Sequence, residues 1–233
     1  MNEAIIILGM HRSGTSCLTG CLNNHGLNLG NISDSNKHNK KGNQENKAVF
    51  KLNEALLNYN QGSWRRPPTK LLTWNDELEI RCKNVISTYN KIPTPWGIKD
   101  PRMLMTYKFW EKQLPDHKIV GTIRHPVAVV KSLLARKHKN LIMSEEQAYH
   151  LWQIYNEKLI ELYNNSNFSI VNFDLEHSIY LQKIGLISNN LKLKTEKENK
   201  FFEKSLINQS NYTRNDCPQD LLQLYDQLLD ICI

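Results

Sequence analysis

The sequence has no cysteine motif, no long apolar run and no dense block of basic residues. Its five cysteines are an odd number. There is no Cys-x-x-Cys pair, and no set of Cys and His has the spacing of a zinc site. This pattern argues against a zinc site and a disulfide framework, and it is typical of a reducing compartment. We therefore expect no structural metal and no disulfide bonds.

Long apolar segments are also missing. The apolar run at residues 4–8 is too short to span a membrane. It lacks the basic region and the small-residue cleavage site of a secretory signal. No other segment approaches transmembrane length. We expect a cytoplasmic protein without a membrane-spanning segment.

The positive charge is spread along the chain. There are 30 Lys and Arg residues against 23 Asp and Glu residues, a net charge of +7. The densest cluster is Arg136, Lys137 and Lys139. Nucleic-acid binding usually requires a block or stripe of cations, whereas a cleft for a small polyanion needs only a few placed ones. We therefore expect a small anionic ligand and no nucleic acid.

The hydrophobic pattern predicts an α/β fold. The apolar run at residues 4–8, with β-branched isoleucine at positions 5 to 7, is typical of a strand buried on both faces of a parallel sheet. Helical patterns separate it from later strands, which predicts a doubly wound parallel sheet flanked by helices. The length fits a single domain over residues 1–233. The predicted strands are 4–8, 96–100, 118–123 and 169–173, and the predicted helices include 13–24, 48–58, 76–89, 103–113, 126 to about 137, 145–163 and 219–229.

A glycine-rich loop follows the first predicted strand. Its sequence is Gly9-Met-His-Arg-Ser-Gly-Thr-Ser16, with the G-x-x-x-x-G spacing of a phosphate-binding loop between a strand and a helix. The glycines let the backbone wrap an anion, and the following helix N-terminus adds roughly half a positive charge. We interpret the loop as a phosphate site, and a glycine turn without a ligand is the alternative.

The cation of this loop is in an unusual place. The common nucleotide-binding version has Lys-Ser or Lys-Thr after its second glycine, where this chain has Thr15 and Ser16. Nucleoside triphosphatases need that lysine against the β- and γ-phosphates. Here the cation is Arg12, inside the loop. The loop therefore favours a phosphate ligand handled without the lysine and magnesium of phosphoryl transfer.

A second motif begins at a strand end. The third predicted strand ends beside Arg124, and the helix that starts near Pro126 carries Ser132. Arginine at the carboxyl end of a strand lies where α/β sheets bind ligands. From the residues alone, an arginine at the sheet edge and a serine on an ordinary helix face explain the motif equally well.

The two motifs together resemble the sulfotransferases that use 3′-phosphoadenosine 5′-phosphosulfate (PAPS), in the form common among bacterial and carbohydrate-acting members. In that family the first loop binds the 5′-phosphosulfate, with a lysine where this chain has Arg12. An arginine at a strand end and a serine eight residues later bind the 3′-phosphate, and Arg124 and Ser132 have this spacing. Two more stretches resemble the bacterial carbohydrate branch: 41–46 with Asn53 and Glu54 following, and 96–102.

The resemblance implies an enzyme that transfers a sulfuryl group from PAPS to a hydroxyl, here of a saccharide, by in-line displacement, with PAP as product and no metal. Arg12 would stabilise the leaving phosphate. Glu45, near the start of a helix, is the first candidate for the general base, and Asp100, between Lys99 and Arg102, is the second. The implied PAPS-binding residues are His11, Arg12, Ser13, Gly14, Thr15, Ser16, Arg124 and Ser132.

Two rival interpretations stay open. The chain could be a P-loop kinase or NTPase with a degenerate loop, in which Asp174 ends an apolar strand and holds magnesium. A non-catalytic binder of adenosine phosphates or of a glycan is the third possibility. His11 and His125 flank the two anion sites and fit packing better than base catalysis. Trp64 or Trp74 could stack on a sugar ring, and the sequence leaves the oligomeric state open.

Overall fold

Four parallel strands form the centre of the protein. A computed structural model describes residues 3–32, 41–91, 95–114, 116–135, 143–194, 201–203 and 212–233. The sheet order is β2-β1-β3-β4, and every neighbouring pair of strands is parallel. The predicted α/β class, with helices flanking a parallel sheet, is confirmed. The strands are β1 Ala4–Leu8, β2 Trp96–Lys99, β3 His117–Ile123 and β4 Ser169–Asn172.

The helices follow the predicted periodicity closely. The fifth was expected to reach about residue 137 and ends at Leu134, and the sixth continues three residues further than expected. The cluster Arg136, Lys137 and Lys139 lies outside the described residues. The helices are α1 Thr15–Asn24, α2 Lys47–Tyr59, α3 Asp76–Tyr89, α4 Met103–Gln113, α5 Pro126–Leu134, α6 Glu145–Ser166, α7 His177–Asn190 and α8 Gln219–Asp230.

Strand β1 separates two hydrophobic cores. All five of its residues are buried because the sheet is covered on both faces. Alternate side chains point to opposite faces, so Ile5 and Ile7 join one core while Ile6 and Leu8 join the other. Helices α1 and α7 cover the first face. The larger core on the second face is built with α2–α6 and α8.

The connections after β1 and β3 create a crevice at the carboxyl edge of the sheet. These strands are neighbours, but α1 packs on one face of the sheet and α5 on the other. Two adjacent strands whose following helices leave toward opposite faces form a topological switch point, the usual ligand position in open α/β sheets. The glycine-rich loop and Arg124 both lie at this point.

Across the described ranges, no helix has the length and apolar character needed to cross a membrane.

Candidate active site

Packing explains both glycines of the loop after β1. Gly14 has φ of 84°, and a Cβ atom there would lie 2.3 Å from the ring of Phe173. A Cβ atom on Gly9 would lie 2.7 Å from the carbonyl oxygen of Thr122. Arg12, with φ of 71°, is also in the left-handed region. The loop is therefore pressed against β3 and the residue after β4, and only glycine fits where it turns.

The N-terminus of α1 offers anion-binding groups. Gly14 is the N-cap residue, and no side chain in the described part of the chain caps the helix there. The N–H groups in the first turn of α1 are therefore available to bind an anion. The side chain of Ser13 is fully buried, and its hydroxyl has no hydrogen-bond partner among the described residues. A buried hydroxyl without a partner fits a site in which a ligand oxygen completes the hydrogen bond.

The two predicted anion-binding motifs are in direct contact. Arg12 Nε donates a hydrogen bond of 2.7 Å to Ser132 Oγ on α5. Arg124 Nη1 lies 3.5 Å from the carbonyl oxygen of Arg12. Arg12 of the first motif and Arg124 and Ser132 of the second therefore lie together in the crevice between β1 and β3.

Arg124 is buried and held from several sides. Its Nε donates to Asp174 Oδ1 at 3.2 Å, and its guanidinium lies 5.2 Å from the centre of the Phe173 ring. Its carbonyl oxygen accepts a hydrogen bond of 3.1 Å from Trp152 Nε1. Only 5% of the Arg124 side chain is exposed. The structure thus places this arginine at the ligand edge of the sheet in a fixed orientation.

Glu45 forms an ion pair with a lysine at the end of β2. Lys99 Nζ donates to Glu45 Oε1 at 2.8 Å and to Ser16 Oγ at 3.2 Å. The Lys99 side chain is 1% exposed and that of Glu45 is 14% exposed. Ser16 Oγ donates in turn to the carbonyl oxygen of Asn43. Lys99 therefore connects the first candidate base to the phosphate loop.

Asp100 has a different environment from Glu45. It is fully buried, and its Oδ1 accepts hydrogen bonds from the Arg102 backbone N–H and from Arg102 Nη1 at 2.9 and 3.0 Å. Arg102 also pairs with Glu54 through Nε and lies over the Phe50 ring. Lys99 contacts Glu45, not Asp100. This arrangement favours a structural ion-pair cluster over a base that an acceptor hydroxyl can reach.

His11 and Trp64 form an aromatic surface beside the loop. Their ring centres are 4.5 Å apart, and His11 also meets the edge of Tyr155 at 5.8 Å. The Tyr155 hydroxyl donates to the Trp64 carbonyl oxygen at 3.0 Å. Trp74 instead packs against Phe109 of α4. Of the two tryptophans considered for an acceptor, only Trp64 contacts the phosphate loop.

His125 packs into an aromatic cluster near the C-terminal helix. Its ring stacks on Tyr212 with centres 4.5 Å apart and meets the edge of Tyr225 at 4.9 Å. Burial lowers the pKa of His125 below its ordinary value. The shift favours the neutral ring at neutral pH, and the ring contacts are with Tyr212 and Tyr225.

The sequence of this chain matches a known protein family. The sequence profile of the sulfotransferase family matches residues 4–167, which include the loop, Glu45, Lys99, Arg124 and Ser132. This chain belongs to the sulfotransferase family. It is a PAPS-dependent sulfotransferase, as the resemblance of its two motifs predicted, and the kinase interpretation is not favoured. No curated protein sequence matches the chain.

Solved structures of other sulfotransferases share the fold. A crystal structure of a sulfotransferase from Alicyclobacillus acidocaldarius aligns with a TM-score of 0.58 and 14% identity, over 88% of this chain and 88% of that chain. The sulfotransferase domain from the curacin biosynthetic pathway aligns with a TM-score of 0.52 and 13% identity, over 98% of each chain. At such low identity the similarity concerns the fold alone.

Two partners in the site of this sulfotransferase were missed by sequence reasoning. Lys99 was given no role beyond orienting Asp100, and Asp174 none beyond holding magnesium in the rival kinase. Lys99 ends β2 and Asp174 is the second residue after β4, so their position at the ligand edge was a usable signal. In the described part of the chain, no group of three or more His, Cys, Asp or Glu side chains could hold a metal ion.

Proposed function

We propose that this sulfotransferase moves the sulfuryl group of PAPS to a saccharide hydroxyl, with residues 9–16 binding the 5′-phosphosulfate and Glu45 acting as general base. One observation carries the proposal: Lys99 Nζ lies between Glu45 Oε1 and Ser16 Oγ, at 2.8 and 3.2 Å. A carboxylate, a cation and a phosphate loop are thereby joined at one edge of the sheet. Sulfuryl transfer needs these three groups together.

The loop is assigned to the 5′ end of the donor. The uncapped N-terminus of α1 and the partnerless Ser13 hydroxyl supply hydrogen-bond donors for phosphate oxygens. Arg12 supplies the charge that a nucleotide kinase takes from a lysine further along the loop. During transfer, these groups would stabilise the negative charge that develops on the leaving 5′-phosphate.

Arg124 and Ser132 are assigned to the 3′-phosphate. Both are almost fully buried, Arg124 directly after β3 and Ser132 on helix α5. A buried arginine and a buried hydroxyl on the following helix suit a phosphate because charge-assisted hydrogen bonds are the strong ones. A second phosphate site beside the first is the requirement that distinguishes PAPS from a simple nucleoside triphosphate.

Glu45 is preferred to Asp100 as the base because it is partly exposed. Its carboxylate would accept the proton of the acceptor hydroxyl while that oxygen forms a bond to sulfur. The bond from sulfur to the 5′-phosphate oxygen breaks, and its electron pair leaves on PAP. Lys99 would stabilise charge on both sides of this step, since it contacts the base and the loop. Asp100 is assigned to holding Arg102 and the start of α4.

The proposed binding surface for the saccharide acceptor is the Trp64 side chain. An indole partly exposed beside the phosphate loop is the kind of surface on which a sugar ring packs, and His11 fixes its orientation. Arg65 lies 5.7 Å from the Trp64 ring and adds positive charge at the same face. The resemblance to carbohydrate-acting members supports the same acceptor class.

Two measurements test the proposal. PAP at 100 times its dissociation constant should stabilise the fold by about 2.7 kcal/mol, and Mg-ATP should give no comparable thermal shift. Transfer of labelled sulfate from PAPS should then be screened on glycans, lipids and small alcohols, with reactions that lack the protein as the control. Stabilisation by Mg-ATP and not by PAP would refute the donor assignment. Transfer to alcohols or lipids but to no glycan would refute the acceptor.

A further inference from the structure

The Asp174 carboxylate accepts hydrogen bonds from Arg124 and from the residue that follows it. Its Oδ1 accepts from Arg124 Nε at 3.2 Å, and its Oδ2 accepts from the backbone N–H of His125 at 2.7 Å. Burial and the nearby Asp174 carboxylate raise the pKa of the Tyr212 hydroxyl. The backbone N–H of Asp174 donates to Asn172 Oδ1 at 2.9 Å. The carboxylate therefore connects β4 to the turn between β3 and α5.

This geometry fixes both ends of Arg124. One carboxylate oxygen holds its guanidinium, and the other holds the next backbone amide in the chain. The ring of Phe173 covers the guanidinium, and the carbonyl oxygen of Arg124 is held by Trp152. A free arginine side chain populates many rotamers, and a ligand that binds it would otherwise have to remove that freedom. Holding the side chain in advance lowers that cost.

We propose that Asp174 is a positioning residue that sets selectivity for the 3′-phosphate by holding Arg124 in place. The inference rests on the proposed assignment of Arg124 to that phosphate. Asp174 acts through Arg124 and is not assigned a contact with the donor. Both carboxylate oxygens already accept hydrogen bonds within the protein, which also explains why this acidic residue at a strand end need not serve as a magnesium ligand.

A simple charge effect is the competing explanation. A carboxylate near a phosphate repels it, so removing the charge should strengthen binding of a 3′-phosphate. Positioning predicts the opposite result. The two explanations separate with Asp174→Glu, which keeps the charge but displaces the oxygens by one methylene, and Asp174→Asn, which keeps the size but loses the charge. Asp230→Asn, an exposed change at the end of α8, is the matched control for loss of a carboxylate.

The experiment compares affinities for PAP and for 5′-AMP, which lacks the 3′-phosphate, by calorimetry. The ratio of the two affinities isolates the 3′-site, and it needs no acceptor. We expect the wild-type protein to prefer PAP by at least about tenfold, the typical value of one charge-assisted hydrogen bond. Both Asp174→Glu and Asp174→Asn should lower this ratio about five- to tenfold while AMP affinity is retained. Asp230→Asn should leave the ratio unchanged.

The variant Arg124→Ala tests the assignment of the 3′-phosphate site separately from the role of Asp174. If it leaves the PAP preference unchanged, the 3′-site of the proposed function is wrong. If it removes the preference but Asp174→Glu keeps the wild-type ratio, the 3′-site stands and the positioning role is refuted. A raised ratio in Asp174→Asn would likewise show that Asp174 acts only as a repulsive charge. In the Arg124→Ala background, Asp174→Glu should have no further effect on the ratio. A full additional loss there would also refute action through Arg124.

Discussion

Arg12 Nε donates a 2.7 Å hydrogen bond to Ser132 Oγ, although 120 residues separate the two in the chain. The bond joins the loop after β1 to helix α5 after β3. It exists because the two strands are neighbours and their following segments meet at the switch point of the sheet. The groups proposed for the 5′ and 3′ ends of PAPS are thus one connected cluster, and their substitution should show coupling.

The Arg12–Ser132 contact should appear in a double-mutant cycle. Ser132→Ala removes one hydrogen-bond partner and should weaken PAP binding about five- to tenfold. Arg12→Ala should lower kcat by about 10²–10³ because the leaving phosphate loses its cation. The loss of PAP affinity in the double variant should be smaller than the sum of the single losses, since the side chains are in contact. Fully additive losses, measured by calorimetry, would contradict a shared site.

Glu45 and Lys99 should affect turnover more than donor binding. Glu45→Gln keeps the size of the side chain but cannot accept the acceptor proton, so kcat should fall by at least about 10² with PAP affinity retained. Lys99→Met should also lower kcat. Glu157→Gln, a surface change on α6, serves as the control. A Glu45→Gln variant that turns over at the wild-type rate would give the base role to another residue.

Asp100→Asn should reduce stability instead of catalysis. The substitution weakens the buried pair with Arg102, which keeps its contact with Glu54, so we expect a cost of about 1–3 kcal/mol. Urea denaturation should show this cost. The kcat of the folded fraction should stay within a few-fold of the wild-type value. A stable Asp100→Asn protein without activity would instead assign Asp100 to the chemistry.

Two glycine substitutions should have opposite effects on stability. Gly14→Ala places a Cβ atom 2.3 Å from the Phe173 ring at a φ of 84°, so it should destabilise the fold by at least about 1–3 kcal/mol. Gly185→Ala lies within α7, where no atom of the described residues lies within 4 Å of the new Cβ atom. It should stabilise the protein by about 0.5–1 kcal/mol through helix propensity. Thermal denaturation of both variants measures the difference. Equal effects would mean that Gly14 is not held against Phe173.

Stability should fall as the pH is lowered through the histidine range. Burial lowers the pKa of His125 and, separately, that of His25, so both rings bind protons more readily in the unfolded chain. Their contribution to stability is complete above the unfolded pKa of about 6.5 and decreases as the pH falls below it. His125→Phe keeps an aromatic ring for Tyr212 and should lose less stability between pH 7.5 and pH 5.5. Urea unfolding at both pH values tests this, and an unchanged dependence in His125→Phe would exclude His125 as a contributor.

Local patterns predicted the strands and the helices except α7, for which no bounds were predicted. The isoleucine-rich run Ala4–Leu8 indicated a strand buried on both faces, and the glycine spacing after it indicated a tight loop before a helix. The ends of the helices were predicted less accurately than their positions. Helix α5 stops at Leu134 and α6 continues to Ser166, because a helix ends where tertiary packing and a C-terminal residue such as Asn167, with φ of 42°, allow it.

The partners within the site could not be predicted in the same way. Lys99 was expected beside Asp100 because the two are adjacent in sequence, but successive residues at a strand end point in different directions. Lys99 instead contacts Glu45, and Asp100 contacts Arg102. Asp174 follows a strand, as a magnesium ligand of a kinase would, and only the pairing of β3 with β4 brings it to Arg124.

Three features can be read from the sequence alone: the alternating α/β pattern, the phosphate loop with Arg12 in place of a lysine further on, and the Arg124–Ser132 spacing that resembles the sulfotransferase family. These are local properties, set by side-chain periodicity and by residues at most eight positions apart. Which charges neutralise one another depends on the tertiary structure. The order β2-β1-β3-β4 brings chain segments about 50 to 120 residues apart to one edge of the sheet. Only there do Lys99, Glu45 and the loop converge, because that proximity depends on strand pairing and not on distance along the chain.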